Sequence, residues 1–344
     1  MSDVTIAVDA MGCDHGPAAT VDGAGHASLS ESAPRIVLVG DEAVLRERLA
    51  EVPHDASKID IVHAGEVITM HDSPRRALEA KPDASVLVAA KLVKSGDADA
   101  LVSAGNTGAV TLACATCFQR LAGVRRCALG AVYPTERRRG EKDDPFSLIL
   151  DVGLTLEATA DDLVSFAVMG AAYSARISRN TRPRIALLSN GTEAHKGPAA
   201  VVEAHKRLRE RTDLEFIGNI EGLDIPRGTA DVVVTSGFIG NVVLKMLEGV
   251  SDTVKRLAKY AIEKKFRYKA GVALLAPAVK ALRRATDWEQ YGGAPILGFD
   301  HLCIKAHGRS SGRAIGNAIK VATKATRSGL VEGIGDAMAA SVEP

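Results

Sequence analysis

The residues best suited to chemistry stand in short polar turns, each entered from an apolar run and left through small residues of helical character. The central turn is Ala104-Gly105-Asn106-Thr107-Gly108, entered from Ala100–Ser103. Strand, glycine turn and helix together suit an anion, because the first N–H groups of a helix lack intrahelical partners and glycine lets the backbone approach a ligand closely. Gly105, Asn106, Thr107 and Gly108 are therefore phosphate-binding candidates, while an ordinary strand-to-helix turn has the same composition. A second turn, Met11-Gly12-Cys13-Asp14-His15-Gly16-Pro17, brings Asp14, His15 and Gly16 close behind Asp9. These residues suit a metal or a polar substrate, and turn chemistry with helix capping also accounts for them. Later turns are built alike. Residues 189–198 carry His195 and Lys196, residues 236–241 carry Gly240 and Asn241, and Lys305 and His307 stand at the end of an apolar run from residue 302.

Bringing such turns to one edge takes parallel strands joined by helices. Strand character is found at residues 5–10, 35–40, 59–64, 100–103, 127–132, 147–152, 184–188, 214–218, 232–235 and 302–306, with helical patterns between most of them. Residues 134–145 are charged enough for an exposed loop or hairpin, and residues 291–298, with their glycines and proline, are expected to be a loop. The alternation predicts an α/β protein with an open, mostly parallel sheet, doubly wound or related, whose turns gather at the carboxyl edge where ligands bind. Residues 1–344 are expected to form a single α/β domain, with residues 250–288 as an inserted basic amphipathic helical hairpin.

Composition narrows the function. With 43 Lys and Arg against 42 Asp and Glu, no global field points to nucleic acid, and 4% aromatics leave few stacking platforms. The start, MSDVTIAVDAMG, has no basic leader and no long apolar run follows anywhere, so a cytoplasmic protein without a spanning helix is expected. The five cysteines are scattered, and Cys114 with Cys117 lie in a helical stretch where thiols pack as small hydrophobes. Neither a GxGxxG turn nor a cluster of metal-binding aspartates stands where a dehydrogenase would need it, so no cofactor or metal is expected. Residues 254–286 are strongly basic, with Lys255, Lys259, Leu257, Leu274 and Leu275 among them. That pattern suits an anionic membrane surface or a partner, and also a surface helix pair or dimer contact.

Read together, AVDAMGCDHGP at 7–17, VSAGNTGA at 102–109, HKG at 195–197, FIGNIEGLDIP at 216–226, GFIGNVVLKMLEG at 237–249, YGGAPILG at 291–298 and IKAHG at 304–308 resemble the PlsX family, the acyl-acyl-carrier-protein:phosphate acyltransferases of bacterial phospholipid synthesis. The ordered set spans nearly the whole chain. The resemblance implies a three-layer α/β/α fold related to the phosphate acetyltransferase and isocitrate dehydrogenase group, a homodimer, and peripheral contact with the inner face of the bacterial membrane through the hairpin. It implies attack of inorganic phosphate on the thioester of an acylated acyl carrier protein, with the acyl phosphate passed on to a glycerol-3-phosphate acyltransferase. In that reaction Lys196, Asn106 and Asn241 become candidates to stabilise the oxyanion, His307 and Lys305 to hold or protonate the departing thiolate, and Asp14 and His15 to orient phosphate or water. Coenzyme A as the thioester carrier, and a scaffold that binds the carrier without turnover, are the alternatives. The chain departs from the usual family residues at Cys13, at Gly153-Leu154-Thr155, at Ser236 and at Arg309-Ser310-Ser311-Gly312.

Overall fold

The computed structural model describes residues 4–139, 144–285 and 292–341. Its strands are β1 (Thr5–Asp9), β2 (Arg35–Gly40), β3 (Ile59–His63), β4 (Ala100–Ser103), β5 (Ala128–Arg139), β6 (Asp144–Leu150), β7 (Arg184–Leu188), β8 (Glu215–Ile220), β9 (Val232–Val234), β10 (Ala294–Leu297) and β11 (Leu302–Lys305). They form an 11-stranded sheet in the order β3-β2-β1-β4-β11-β10-β5-β6-β9-β7-β8. Both flanks are parallel. The centre is not: β10 runs antiparallel to β11 and to β5, and β5 antiparallel to β6. The residues expected to be a loop at 291–298 thus contain β10, a strand short enough and rich enough in turn formers to hide its character. Its Pro295 sits opposite Ile304 without needing to donate to the ladder.

Alternate residues of the central strands enter opposite layers. Ile6, Val8, Val102 and Ile304 pack into one buried cluster, while Ala7, Leu101 and Cys303 pack into another on the far face. This period of two, with both faces apolar, is what a sheet covered by helices on each side requires. On the first face lie the helices Gly16–Ser28, Ala160–Tyr173 and Gly312–Arg327; on the second lie Ser85–Ser95 and Thr107–Cys117. Cys114 and Cys117 are buried in the second cluster as packing residues, with free thiols. The helix Ala160–Tyr173 begins at a reciprocal cap, Thr159 accepting from the Asp162 amide and Asp162 from the Thr159 amide.

The charged stretch at 134–145 belongs to the β5–β6 hairpin, whose residues 140–143 lie outside the described residues. The segment expected to be a basic hairpin is entered from further back in the chain than its composition suggested. One helix, Gly237–Glu263, starts at the sheet edge and runs on into it, followed by Phe266–Leu274 and Ala276–Ala285; residues 286–288 of the expected hairpin are outside the described residues. Among the described residues, no helix is long and apolar enough to cross a membrane.

Candidate functional site

The parallel register sets Asp9, Ser103 and Lys305 side by side at the ends of β1, β4 and β11, and β10 places Ala294 next to Lys305. Asp9 is buried; its carboxylate accepts from Ser85 Oγ at 2.7 Å and Ser103 Oγ at 2.6 Å, and Ser103 Oγ accepts from the Gly105 amide at 3.1 Å. A Cβ on Gly12 would lie 2.6 Å from Asp9 Oδ2 and 2.8 Å from Gly105 Cα, so glycine is required for these two turns to meet over the carboxylate. Asp9 therefore pins the turns together from below rather than facing a ligand.

Above it opens a cavity of about 860 Å³. From the expected residues the cavity wall gathers Asp14, Gly105, Thr107, Asn241, Lys305 and His307. Lys305 is 6% exposed, and burial lowers its pKa to about 8 against the opposing pull of nearby Asp9 and Asp14; its ammonium donates to the Ala306 carbonyl. The Arg309 amide lies 3.2 Å from His307 Nδ1. Burial, then the charge of Lys245, lowers the His307 pKa, so the ring is neutral at pH 7. Nε2 faces Lys245 Nζ at 3.3 Å, and Lys245 pairs with Glu248 at 2.9 Å. The ammonium can only donate, so in this contact Nε2 is the acceptor, and the cavity wall presents a cation beside the imidazole, a pairing that suits an anionic ligand.

Other expected residues stand elsewhere. Asn106 caps the helix Thr107–Cys117: its Oδ1 accepts from the Gly108 and Ala109 amides at 3.0 and 3.3 Å, and its Nδ2 donates to the Met70 carbonyl at 3.2 Å. Its side chain and several amides of the glycine turn are thus engaged, and Gly108 packs against Pro74 rather than into the cavity. His15 is exposed at the start of the helix Gly16–Ser28, with Gly16 in a left-handed conformation at φ 63°; neither residue lines the cavity. Lys196 lies in the turn after β7, its stem against Gly191, away from the cavity wall. A Cβ on Gly240 would overlap the Asp151 carbonyl oxygen, which explains that glycine by close packing. Lys255, Leu257, Lys259, Leu274 and Leu275 are exposed and do not line the cavity.

Sequence reasoning passed over three parts of this region. Lys245 and Glu248 follow Asn241 at helical spacing on the face turned to the cavity, a signal present in GFIGNVVLKMLEG. Asp151 is fully buried; it accepts from the amides of Leu129, Gly153 and Thr155 at 2.9, 2.9 and 2.7 Å and from Thr155 Oγ1 at 2.9 Å. Thr155 Oγ1 in turn accepts from the Gly237 amide at 3.1 Å, so Thr155 ties this carboxylate to the start of the helix that carries Lys245. The last is Tyr133, from the overshooting part of β5.

The layered sheet and its edge cavity define a protein of the phosphotransacylase fold. The chain superposes with a TM-score of 0.61 on a phosphotransacetylase from Streptococcus pyogenes, at 17% identity over 95% of this chain and 94% of that one. With a branched-chain phosphotransacylase from Enterococcus faecalis V583 the TM-score is 0.58, at 15% identity over 94% and 99% of the two chains. Residues 4–332 match the family model described as fatty acid synthesis protein. A phosphate acyltransferase from Moorella thermoacetica is 42% identical over 338 residues, 98% of this chain and 97% of that one, and one from Myxococcus xanthus is 42% identical over 94% and 91%. The chain belongs to this PlsX family of phosphate acyltransferases, and it is an acyltransferase of lipid synthesis.

Proposed function

We propose that the protein transfers the acyl group of a fatty acyl-acyl carrier protein to inorganic phosphate. The observation that carries this reading is the meeting of Lys245, His307 and Lys305 at one cavity, which Leu129, Val152 and Leu244 also line. Lys245, with His307 beside it, holds phosphate, which is already an anionic nucleophile and mainly needs positioning. A phosphate oxygen attacks the thioester carbonyl carbon; the new C–O bond forms as the carbonyl becomes an oxyanion, for which Asn241 is a nearby donor. Collapse restores the carbonyl, breaks the C–S bond and expels the carrier thiolate with its electron pair. Lys305, with a pKa of about 8, is matched to protonate a thiolate whose conjugate acid titrates near 8.5. Acyl phosphate and free carrier result, and the acyl phosphate serves a glycerol-3-phosphate acyltransferase in phospholipid synthesis.

The test is release of free thiol from palmitoyl-acyl carrier protein with and without phosphate, trapping acyl phosphate as the hydroxamate. Phosphate-dependent release with trapped product supports the reading. Equal or better use of palmitoyl-coenzyme A would move the assignment to that carrier, and carrier binding without release would favour a scaffold.

The reading extends to a homodimer at the inner face of the membrane. Phe238, Val242, Met246, Val250, Val254 and Leu257 form an exposed apolar stripe along the helix Gly237–Glu263, and Leu274 is 85% exposed at the hairpin. This much apolar surface favours burial against a second copy and a bilayer. Wild type is expected to float with anionic liposomes, and a variant with Lys255, Lys259 and Lys264 changed to Glu is expected to stay below; equal flotation counts against the hairpin as the contact.

A further inference from the structure

We infer that Tyr133, facing Ser251 across the cavity, sets the length of the acyl chain that the site accepts. The inference rests on the acyl transfer proposed above and assigns part of its specificity.

The cavity has a direction that the sheet register defines. Lys305 pairs with Ala294, and Leu129 with Ile296; continued along β10, that register brings Ala131 level with Ala294 and so with Lys305. Strand β5 points the same way as β11 but does not stop there. It continues to Arg139, beyond the edge at which β11 gives way to the His307 turn. Tyr133 is therefore about 7 Å past the Lys305 row at roughly 3.3 Å per residue. The opposite wall is the helix Gly237–Glu263, which presents Leu244, Lys245, Glu248 and Ser251 to the cavity. From Lys245 to Ser251 the helix advances about 9 Å. Strand and helix thus leave the reacting groups together, and Tyr133 and Ser251 are where they meet again.

The character of the lining changes at that point. On the reacting side Leu129, Ala131, Val152 and Leu244 supply apolar lining, and Glu248 there is paired with Lys245. Past Tyr133 the lining turns polar, with Thr135, Glu136 and Asp252. Tyr133 is half-buried, and its phenol faces the Ser251 side chain. An alkyl chain held with its carbonyl near His307 gains by burial up to this ring; further methylenes must displace the ring or lie against carboxylates.

The experiment compares wild type with Tyr133→Ala, Tyr133→Phe and Ser251→Leu, using hexanoyl, lauroyl and palmitoyl carriers for turnover and the matching free fatty acids for calorimetric binding. Tyr133→Ala should raise the palmitoyl-to-hexanoyl ratio of kcat/KM by roughly tenfold or more, with the KM for phosphate unchanged. Ser251→Leu should move the ratio the other way, and Tyr133→Phe, which keeps the ring, should stay near wild type. Fatty-acid binding should follow the same order. An unchanged profile in both Tyr133→Ala and Ser251→Leu overturns the inference, and Ser251→Leu on the exposed helix decides it if Tyr133→Ala does not fold. If no carrier yields acyl phosphate, the proposed reaction fails, and the binding series still decides whether Tyr133 measures the chain.

Discussion

Lys305→Met should lower turnover by about 10²–10³-fold, the loss typical of removing a positioned proton donor or charge at a reacting group. The effect should come without loss of stability. Burial holds the Lys305 pKa near 8 in the folded chain, against 10.5 as its ordinary value. Between those values the unfolded chain binds more protons, so the free energy of unfolding rises with pH through this window. Below pH 8 both states carry the proton, and the buried ammonium costs stability throughout that range. Methionine removes the cost, so urea denaturation at pH 7 should give a midpoint equal to or above that of wild type. The same titration shapes activity: wild-type turnover should fall as pH rises through about 8, when Lys305 loses the proton that the thiolate needs. A turnover profile flat from pH 7 to 10 would remove Lys305 from this role.

Asp151→Ala should cost roughly 3–5 kcal/mol, among the largest effects a single substitution produces. The carboxylate is fully buried and gathers the amides of Leu129, Gly153 and Thr155 with the Thr155 hydroxyl, all at hydrogen-bond distance. Alanine leaves these donors without an acceptor in a site closed over by Gly237 and Gly240. Asp151→Asn keeps the shape and one acceptor oxygen, so its loss should be smaller. Urea midpoints for the pair give the comparison; a loss below about 1 kcal/mol in Asp151→Ala would mean that water enters and takes over the bonds.

Most strands were legible because their apolar runs are short, continuous and closed by glycine turns, as in residues 5–9 and 100–103. Strand β10 was not, because Gly293, Ala294 and Pro295 carry turn chemistry and gain their place only through pairing with β11 and β5. At the site, position after a strand put Lys305 and His307 among the candidates, and both line the cavity, but it could not separate Lys245 from Lys196. Which of these faces the cavity depends on the sheet order, a long-range property. Asn106 and Asp9 illustrate the reverse: their residue types suit a ligand, yet the fold commits them to a helix cap and to serine hydroxyls.

The helix Gly237–Glu263 is 27 residues long, about 40 Å, and begins wedged between Asp151 and Thr155. Its inner turns carry Lys245 to His307, while its outer turns stand clear of the sheet. Such a rod behaves as a lever with its fulcrum at the buried end. A tilt of about 10° moves the outer tip by about 7 Å and the Lys245 level by about 2 Å, enough to part a contact that spans only 3.3 Å. Whatever grips the outer turns thereby also governs the contact between Lys245 and His307.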